Sequence, residues 1–218
     1  LGLIYAVNTT GAIAGALLAG FVLIPSLGLH DTIRVATVVV ALGTLALLLV
    51  ARVTGHSRVV GVAACALVLS MGFALPSWSQ PLLASGVYKY SPDLGRSDLE
   101  TWLAAGRLLY YREGSTATVS VREALGNRSL SIDGKVDASN GADMLTQRLL
   151  AHLPLLLHPE PHRVAIVGLG SGVTLGAALK HPIERADVLE ISPEVVEASS
   201  LFARENHRAL ADSRTRLI

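Results

Sequence analysis

Three long apolar runs in the first third of the chain constrain its fold more than any other feature. No charged residue occurs from Leu1 to Ile24, from Val35 to Ala51 or from Val59 to Leu75. A helix that crosses the hydrocarbon core of a bilayer needs about 17 to 25 apolar residues. The whole chain is 51% hydrophobic and only 16% charged, which is too apolar for a single soluble domain. The sequence therefore predicts an integral membrane protein with about three membrane-spanning helices in residues 1–80.

A cleaved leader does not account for the first run. It has no basic start, it is too long for a signal core, and two comparable runs follow it. Within it, Gly11 and Gly15 form a small-residue pair of the kind that lets helices pack closely in lipid. The chain begins with Leu1 rather than Met and ends in the apolar pair Leu217-Ile218, so we expect a fragment of a longer protein.

Charge and composition exclude several kinds of partner. The formal net charge of +1 gives no reason to expect nucleic acid. Cys65 is the only cysteine and cannot form an intrachain disulfide. Four histidines lack a cysteine or acidic partner at metal-ligand spacing, so we expect no metal site; they are His152, His158, His162 and His181.

The character of the chain changes after Pro76, where charged residues, prolines and turn formers become frequent. Residues 81–106 are predicted to be a linker and residues 107–141 a small β-hairpin region, with strands at 108–111, 116–122 and 129–132 and a turn at Gly126-Asn127. From residue 142 onward, helix and strand patterns alternate, with helices at 142–157, 173–180 and 193–206. The fold class expected is therefore α-helical membrane segments followed by an α/β part, whose Rossmann-like parallel sheet is incomplete at the C-terminus.

A glycine-rich turn stands at the centre of this α/β part. The stretch "VAIVGLGSG" runs from Val164 to Gly172 and ends in Gly168, Gly170 and Gly172, with Ser171 between the last two. It follows an apolar strand and opens a helix. In that position glycines let the backbone pass close to a nucleoside, and the helix N-terminus faces the ligand.

Glu190 follows the next predicted strand, where a carboxylate can accept hydrogen bonds from both hydroxyls of a ribose. The alternative is that it caps the helix beginning at Pro193. Position 173 is valine, so the pattern is not the full dinucleotide fingerprint. An adenosyl-sulfonium cofactor is favoured over NAD.

These residues resemble a known family. The segment from Ile132 to Ser199 is similar to the spermidine synthase family of polyamine aminopropyltransferases, and the likeness extends over roughly residues 107–218. The three apolar runs ahead of it resemble the membrane-bound variety of that family. The strongest marks of the resemblance are the glycine turn, Asp133-Gly134, Ala151-His-Leu-Pro154, His158-Pro159, Pro161, His181-Pro182 and Glu190-Ile191.

The resemblance implies transfer of an aminopropyl group from decarboxylated S-adenosylmethionine to an amine such as putrescine. It assigns Gly168, Gly170, Ser171, Gly172 and Glu190 to the cofactor. It assigns the polyamine to Asp133, Asp143 and Gln147, although Asp133 can equally be a hairpin corner and Asp143 a helix N-terminal acid.

The sequence also departs from the family. Ser171 stands where soluble members carry the aspartate that holds the aminopropyl ammonium. The family's glutamine after the Asp-Gly turn is Asp137, and its pair of polar residues on the following helix is Thr146-Gln147. The catalytic aspartate is expected beyond residue 218.

Three classes of function therefore stay open. The first is an aminopropyltransferase acting on polyamines. The second is a methyltransferase that uses S-adenosylmethionine, since methyl transfer needs no ammonium-binding acid at position 171. The third is a nonenzymatic domain that binds an adenosyl ligand or a polyamine. A polyamine and the lipid bilayer are the expected partners, and a second copy of the chain is left open.

The charges of the predicted loops indicate only weakly on which side of the membrane the soluble part lies. Arg52 and Arg58 flank one predicted loop and Asp31 and Arg34 lie in the loop before it, which by the positive-inside rule favours an external soluble part. Adenosyl-sulfonium cofactors are cytosolic, so we expect the cytoplasmic face of the cell membrane.

Overall fold

The computed structural model describes residues 2–51, 54–90, 103 and 106–218. The chain divides into two units, residues 1–78 and 79–218. The first unit is helical. Its helices are α1 (Gly2–Leu18), a π-helical turn (Ala19–Leu23), α2 (Ile24–Val50) and α3 (His56–Ala74).

Two helical runs are long and apolar enough to cross a membrane, Gly2–Val50 and His56–Ala74. Length and composition are the whole of this support. The prediction of a loop around Asp31 and Arg34 is wrong, because these residues lie within α2. The first run has 49 residues, about twice what one crossing requires. It is interrupted at Gly28, whose φ of 83° and ψ of 168° are not helical. The Thr32 hydroxyl donates to the Gly28 carbonyl at 2.7 Å.

Helices α2 and α3 pack against each other through small residues. Ala41 and Cys65 are buried at this contact, and the Cys65 thiol lies 3.9 Å from the Ala41 carbonyl oxygen. A methyl group added at Gly61 would meet Leu48 at 2.8 Å. Additional methyl groups at Gly11 and Gly15 would meet nothing within 4 Å, so the described helices do not pack through the predicted pair.

The second unit begins with two short helices, α4 (Gln80–Leu83) and α5 (Val87–Tyr90). These occupy the first part of the predicted linker, and its residues 91–102 and 104–105 lie outside the described part of the chain. Next comes a four-stranded antiparallel sheet in the order β1-β2-β3-β4. Its strands are β1 (Gly106–Glu113), β2 (Thr118–Ala124), β3 (Asn127–Ile132) and β4 (Lys135–Ser139).

Two-residue turns connect the last three of these strands. Ala124 pairs with Asn127 across the first turn, so the turn is Leu125-Gly126, one residue earlier than predicted. Ile132 pairs with Lys135 across the second, which makes Asp133-Gly134 the corner. Both residues of each turn have positive φ, the geometry whose twist suits a tight hairpin.

The remainder forms a parallel sheet in the order β5-β6-β7 with helices between its strands. Its elements are α6 (Met144–Leu157), β5 (Arg163–Val167), α7 (Val173–Ala178), β6 (Arg185–Leu189), α8 (Pro193–Ser199) and β7 (Thr215–Leu217). The helix predicted to reach Asn206 is shorter, since α8 passes into a 3-10 turn at Ser200–Phe202.

The parallel register brings the carboxyl ends of the strands together. Val167 of β5 pairs with Leu189 of β6, and Val188 pairs with Leu217 of β7. The core beneath is apolar and includes the buried residues Leu175, Val188, Val195 and Phe202. In open parallel sheets the crevice at the carboxyl ends of the strands is the usual ligand site.

Hydrogen bonds connect the antiparallel sheet to α8 and the segment after it. The Tyr110 hydroxyl donates to Glu197 at 2.6 Å, and Asn140 donates to Glu205 at 3.0 Å. Burial, and then the bond to Glu197, raises the pKa of the Tyr110 hydroxyl well above its usual range.

Candidate functional site

A cavity of about 410 Å³ opens at the carboxyl ends of the parallel strands. Its lining combines the first glycine of the turn, one carboxylate and four apolar side chains: Val167, Gly168, Leu189, Glu190, Ile191 and Ile218. Val167 and Ile191 are 86% and 80% exposed. Exposed apolar side chains around a single carboxylate suit a ligand with one apolar face and a few hydroxyl groups.

The glycine turn lies between β5 and α7, and its first residue, Gly168, lines this cavity. Gly168 and Gly172 have φ of 85° and 78°, values that other residues adopt only with strain. Between them Leu169 turns inward and is 5% exposed. An added methyl group at Gly168 would meet no atom within 4 Å, so the backbone there borders open space.

Glu190 lies at the end of β6 and binds the backbone of the glycine turn. Its Oε2 accepts from the Leu169 N–H at 2.8 Å, and its Oε1 accepts from the Ser192 N–H at 2.9 Å. Ser192 is the residue that caps α8, because its side chain accepts from the Val195 N–H. Glu190 is therefore not the helix cap. Each oxygen of a carboxylate can accept a second hydrogen bond, which leaves capacity for ligand hydroxyls.

Ser171 has a different environment. It is 1% exposed, and its hydroxyl donates to Gln147 Oε1 at 2.5 Å. Its side chain is thus used within the protein and does not line the cavity. The Ser171 hydroxyl holds the turn against α6, and its predicted role with the cofactor stays a prediction.

Asp143 and Gln147 belong to the same hydrogen-bonded cluster. Gln147 Nε2 donates to the Ser139 carbonyl at 2.7 Å and to Asp143 Oδ2 at 2.8 Å. Asp143 Oδ2 also accepts from the Ser139 N–H at 2.8 Å, and its Oδ1 bonds the Ser139 hydroxyl. Both donors of the Gln147 amide are engaged. A polyamine would have to compete with these contacts.

Asp133 occupies the corner between β3 and β4. Its φ is 49°, its Oδ1 accepts from the Thr118 N–H at 2.8 Å, and its carbonyl accepts from the Tyr88 hydroxyl at 2.9 Å. These contacts support the hairpin-corner interpretation. They leave a role with substrate as a prediction.

Of the predicted site residues, the structure brings Gly168 and Glu190 to the cavity. Gly170 and Gly172 shape the turn beside it, with positive φ. The apolar lining, chiefly Val167 and Ile191, was not predicted from the sequence. The signal available was their position, since each is an apolar residue at or just after the carboxyl end of a strand.

The histidines form one close pair. His152 Nδ1 and His181 Nε2 are 2.8 Å apart, so one nitrogen donates to the other between α6 and the segment that follows α7. Within the part of the chain that the structure describes, no group of three or more histidine, cysteine or acidic residues could hold a metal ion.

Comparison with known proteins identifies the matching part of the chain. Residues 143–218 match the family model described as the spermine/spermidine synthase domain. The polyamine aminopropyltransferase of Archaeoglobus fulgidus is 34% identical over 110 residues, which are 50% of this chain and 40% of that protein. The polyamine aminopropyltransferase of Caldicellulosiruptor bescii is 38% identical over 92 residues, 42% of this chain and 33% of that protein.

Two spermidine synthases of known structure are among the matches. A spermidine synthase from Thermotoga maritima is 29% identical, with 51% of this chain and 40% of that chain covered and a TM-score of 0.48. A spermidine synthase in complex with the transition state analogue AdoDATO has the same identity and TM-score. The chain spans about a third to two fifths of the length of the curated relatives it matches. The resemblance predicted from the sequence is confirmed over residues 143–218, which match the spermine/spermidine synthase domain.

Proposed function

We propose that this chain supplies the adenosyl-binding part of a membrane-bound aminopropyltransferase of polyamine biosynthesis. The donor is decarboxylated S-adenosylmethionine and the acceptor is putrescine or a similar amine. The observation that carries the proposal is the position of Glu190, whose carboxylate lies at the end of β6, binds the glycine turn and lines the cavity. Its free acceptor capacity suits the two ribose hydroxyls of an adenosyl ligand.

The chemistry is a displacement at carbon. The neutral amine nitrogen of the acceptor attacks the aminopropyl carbon beside the sulfonium, a carbon–nitrogen bond forms, and the carbon–sulfur bond breaks. Methylthioadenosine leaves as a neutral thioether, and the new ammonium loses a proton to a base. The family resemblance implies a catalytic aspartate, which we expect beyond residue 218. Residues 143–218 would bind and orient the donor, which contributes by placing the reacting atoms in line.

Methyl transfer from S-adenosylmethionine is the second candidate, and one observation favours it. An aminopropyl ammonium in a closed site calls for a carboxylate, but the glycine turn offers Ser171, and its hydroxyl is buried against Gln147. Methyl transfer does not require a carboxylate at position 171. The two reactions share the adenosyl pocket and differ in the group transferred.

The test uses the full-length protein in detergent or lipid nanodiscs. Binding of methylthioadenosine is measured by calorimetry, and turnover is measured with each sulfonium donor in the presence of putrescine. Formation of spermidine with methylthioadenosine supports aminopropyl transfer, whereas formation of S-adenosylhomocysteine with a suitable acceptor supports methyl transfer. Binding of methylthioadenosine without formation of either product would support a nonenzymatic binding domain. If no adenosyl ligand binds, the proposal of an adenosyl pocket is refuted.

We further propose that residues 2–75 anchor this activity in the cell membrane, with residues 106–218 on the cytoplasmic face. The two long apolar helical runs support the anchor, and the cytosolic origin of adenosyl-sulfonium donors supports the side. The arginines near residues 52–58 favour the opposite side, but two positive charges are a weak signal.

A further inference from the structure

Asn206 contacts the glycine turn at a different atom from Gln147, the Ser171 carbonyl. It follows α8 in sequence, is 5% exposed, and places its amide between two carbonyl groups. Its Nδ2 donates to the Ser171 carbonyl at 2.9 Å and to the Ser199 carbonyl at 2.9 Å. Both donor hydrogens of this amide are therefore used inside the protein.

The acceptor oxygen of the same side chain is engaged as well. Asn206 Oδ1 accepts from the Arg208 N–H at 2.9 Å. His207 and Arg208 have φ of 55° and 56°, the left-handed region that residues other than glycine seldom adopt. A side-chain oxygen that accepts from the backbone two residues ahead favours such a turn. Asn206 thus stabilises its own segment while it holds the glycine turn.

Two glycines make room for this contact. A methyl group added at Gly172 would lie 3.0 Å from Asn206 Nδ2, and one added at Gly176 would lie 2.5 Å from the Asn206 carbonyl oxygen. Gly176 is inside α7, where glycine costs about 1 kcal/mol relative to alanine. The close approach of Asn206 explains why a glycine is needed within that helix.

The turn is consequently held through two groups of Ser171. Gln147 accepts from the Ser171 hydroxyl, and Asn206 donates to the Ser171 carbonyl. Ser171 is the residue between Gly170 and Gly172, so contacts to both its side chain and its main chain determine the direction of the turn. A buried carbonyl left without a donor is costly, and the turn would relax to regain one.

We propose that Asn206 is a positioning residue that keeps the glycine turn in its ligand-accepting conformation. It acts through Ser171 and does not itself line the cavity. The predicted effect on ligand affinity rests on the proposed function. The effect on the turn itself does not.

The experiment compares Asn206→Ala with Phe202→Leu in the full-length protein. Phe202 is fully buried in the same segment, so its truncation lowers stability without removing a side-chain bond to Ser171. Asn206→Asp is the second variant, because it retains an acceptor for Arg208 and removes both donors. The readout is hydrogen–deuterium exchange without ligand, in peptides covering 168–176 and, as reference, the β6 segment 185–189.

We expect Asn206→Ala and Asn206→Asp to accelerate exchange in 168–176 at least tenfold with little change in β6, whereas Phe202→Leu changes both segments together. The dissociation constant for methylthioadenosine should rise about tenfold in Asn206→Ala and less than about twofold in Phe202→Leu, on the scale of one buried hydrogen bond. If the Asn206 and Phe202 variants change exchange in parallel, Asn206 is only structural and the proposal is overturned. If the unaltered protein binds no adenosyl ligand, the proposed function fails, while the exchange comparison still decides the role of Asn206.

Discussion

The Ser171 hydroxyl donates to Gln147 Oε1 at 2.5 Å, so a side chain of the glycine turn and a side chain of α6 satisfy each other. The Gln147 amide in turn donates to Asp143. Three of the residues that the resemblance assigns to cofactor and polyamine thus bind one another. The turn presents no carboxylate to an aminopropyl ammonium. It therefore discriminates only weakly between ligands that differ in charge at this position.

This arrangement predicts weak discrimination between the two sulfonium donors. An ammonium without a carboxylate partner at position 171 loses about 1 to 2 kcal/mol, or about tenfold in affinity at the middle of that range. We expect the full-length protein to prefer decarboxylated S-adenosylmethionine over S-adenosylmethionine by no more than about tenfold. Competition of each donor against methylthioadenosine measures the ratio. A preference of about a hundredfold would mean that another group holds the ammonium.

Replacing Glu190 by glutamine should weaken adenosyl-ligand binding by about 1.5 to 3 kcal/mol, on the scale of hydrogen bonds to a charged group. The amide keeps one acceptor oxygen but loses the charge shared by the ribose hydroxyls. Calorimetry with methylthioadenosine checks this. The matched control is Glu194→Gln, a carboxylate at the start of α8 that bonds the Ser192 hydroxyl at 2.7 Å and does not line the cavity. If Glu190→Gln and Glu194→Gln bind methylthioadenosine with equal affinity, Glu190 does not bind the ligand.

Replacing Gly176 by alanine should destabilise the protein, although alanine is the better helix former by about 1 kcal/mol. The new methyl group would lie 2.5 Å from the Asn206 carbonyl oxygen. This oxygen belongs to the backbone, so it can move aside only if the segment around Asn206 shifts. We expect a lower melting temperature and weaker methylthioadenosine binding. An increase in melting temperature would show that a methyl group at position 176 fits beside the Asn206 carbonyl, which contradicts the prediction.

Asp212 and Arg214 should make stability depend on pH in the acid range. The Arg214 side chain donates to Asp212 Oδ2 at 2.8 Å, and this bond, with that from the Arg214 backbone N–H, lowers the pKa of Asp212 to about 2. A pKa lowered by folding adds stability above the unfolded value near 4, and this stability is lost as the pH falls from about 4 to about 2. The contribution of this pair is small, because solvent screens the attraction between exposed charges.

The measurement compares melting temperatures of the unaltered protein and Asp212→Asn from about pH 6 to about pH 2, a range that spans both pKa values. We expect the unaltered protein to be slightly more stable than Asp212→Asn at the higher pH values. This difference should disappear toward the lowest pH. A difference that stays constant over this range would show that protonation of Asp212 is not responsible. Arg214→Ala should cost more than Asp212→Asn, because Arg214 also donates to the Leu179 carbonyl at 3.0 Å.

The apolar helical runs predict that the protein stays with membranes after alkaline carbonate extraction. In sealed inside-out vesicles, we expect added protease to cleave residues 106–218, because the cytoplasmic face is then outside. Release by carbonate would argue against spanning helices. Protection in inside-out vesicles, with cleavage in right-side-out vesicles, would reverse the orientation.

Much of the α/β part could be predicted from the sequence because its signals are local. Strand β5 (Arg163–Val167) is the apolar strand predicted ahead of the glycine turn, since a short apolar run followed by glycine allows few other structures. The position of Glu190 follows from the same kind of pattern. Strand β4 was missed, because Ala138 is its only buried residue and so it has no periodic apolar face to detect.

The sequence by itself determined that this chain has long apolar helices, a glycine turn between a strand and a helix, and a carboxylate at the end of the next strand. The tertiary structure alone decided where Ser171 points and that Asn206 holds it. The physical reason is distance along the chain: Gln147 and Asn206 lie far from Ser171 in sequence and meet it only when α6 and the segment after α8 pack around the turn. Likewise, the break at Gly28 depends on backbone angles that a single glycine permits but does not require.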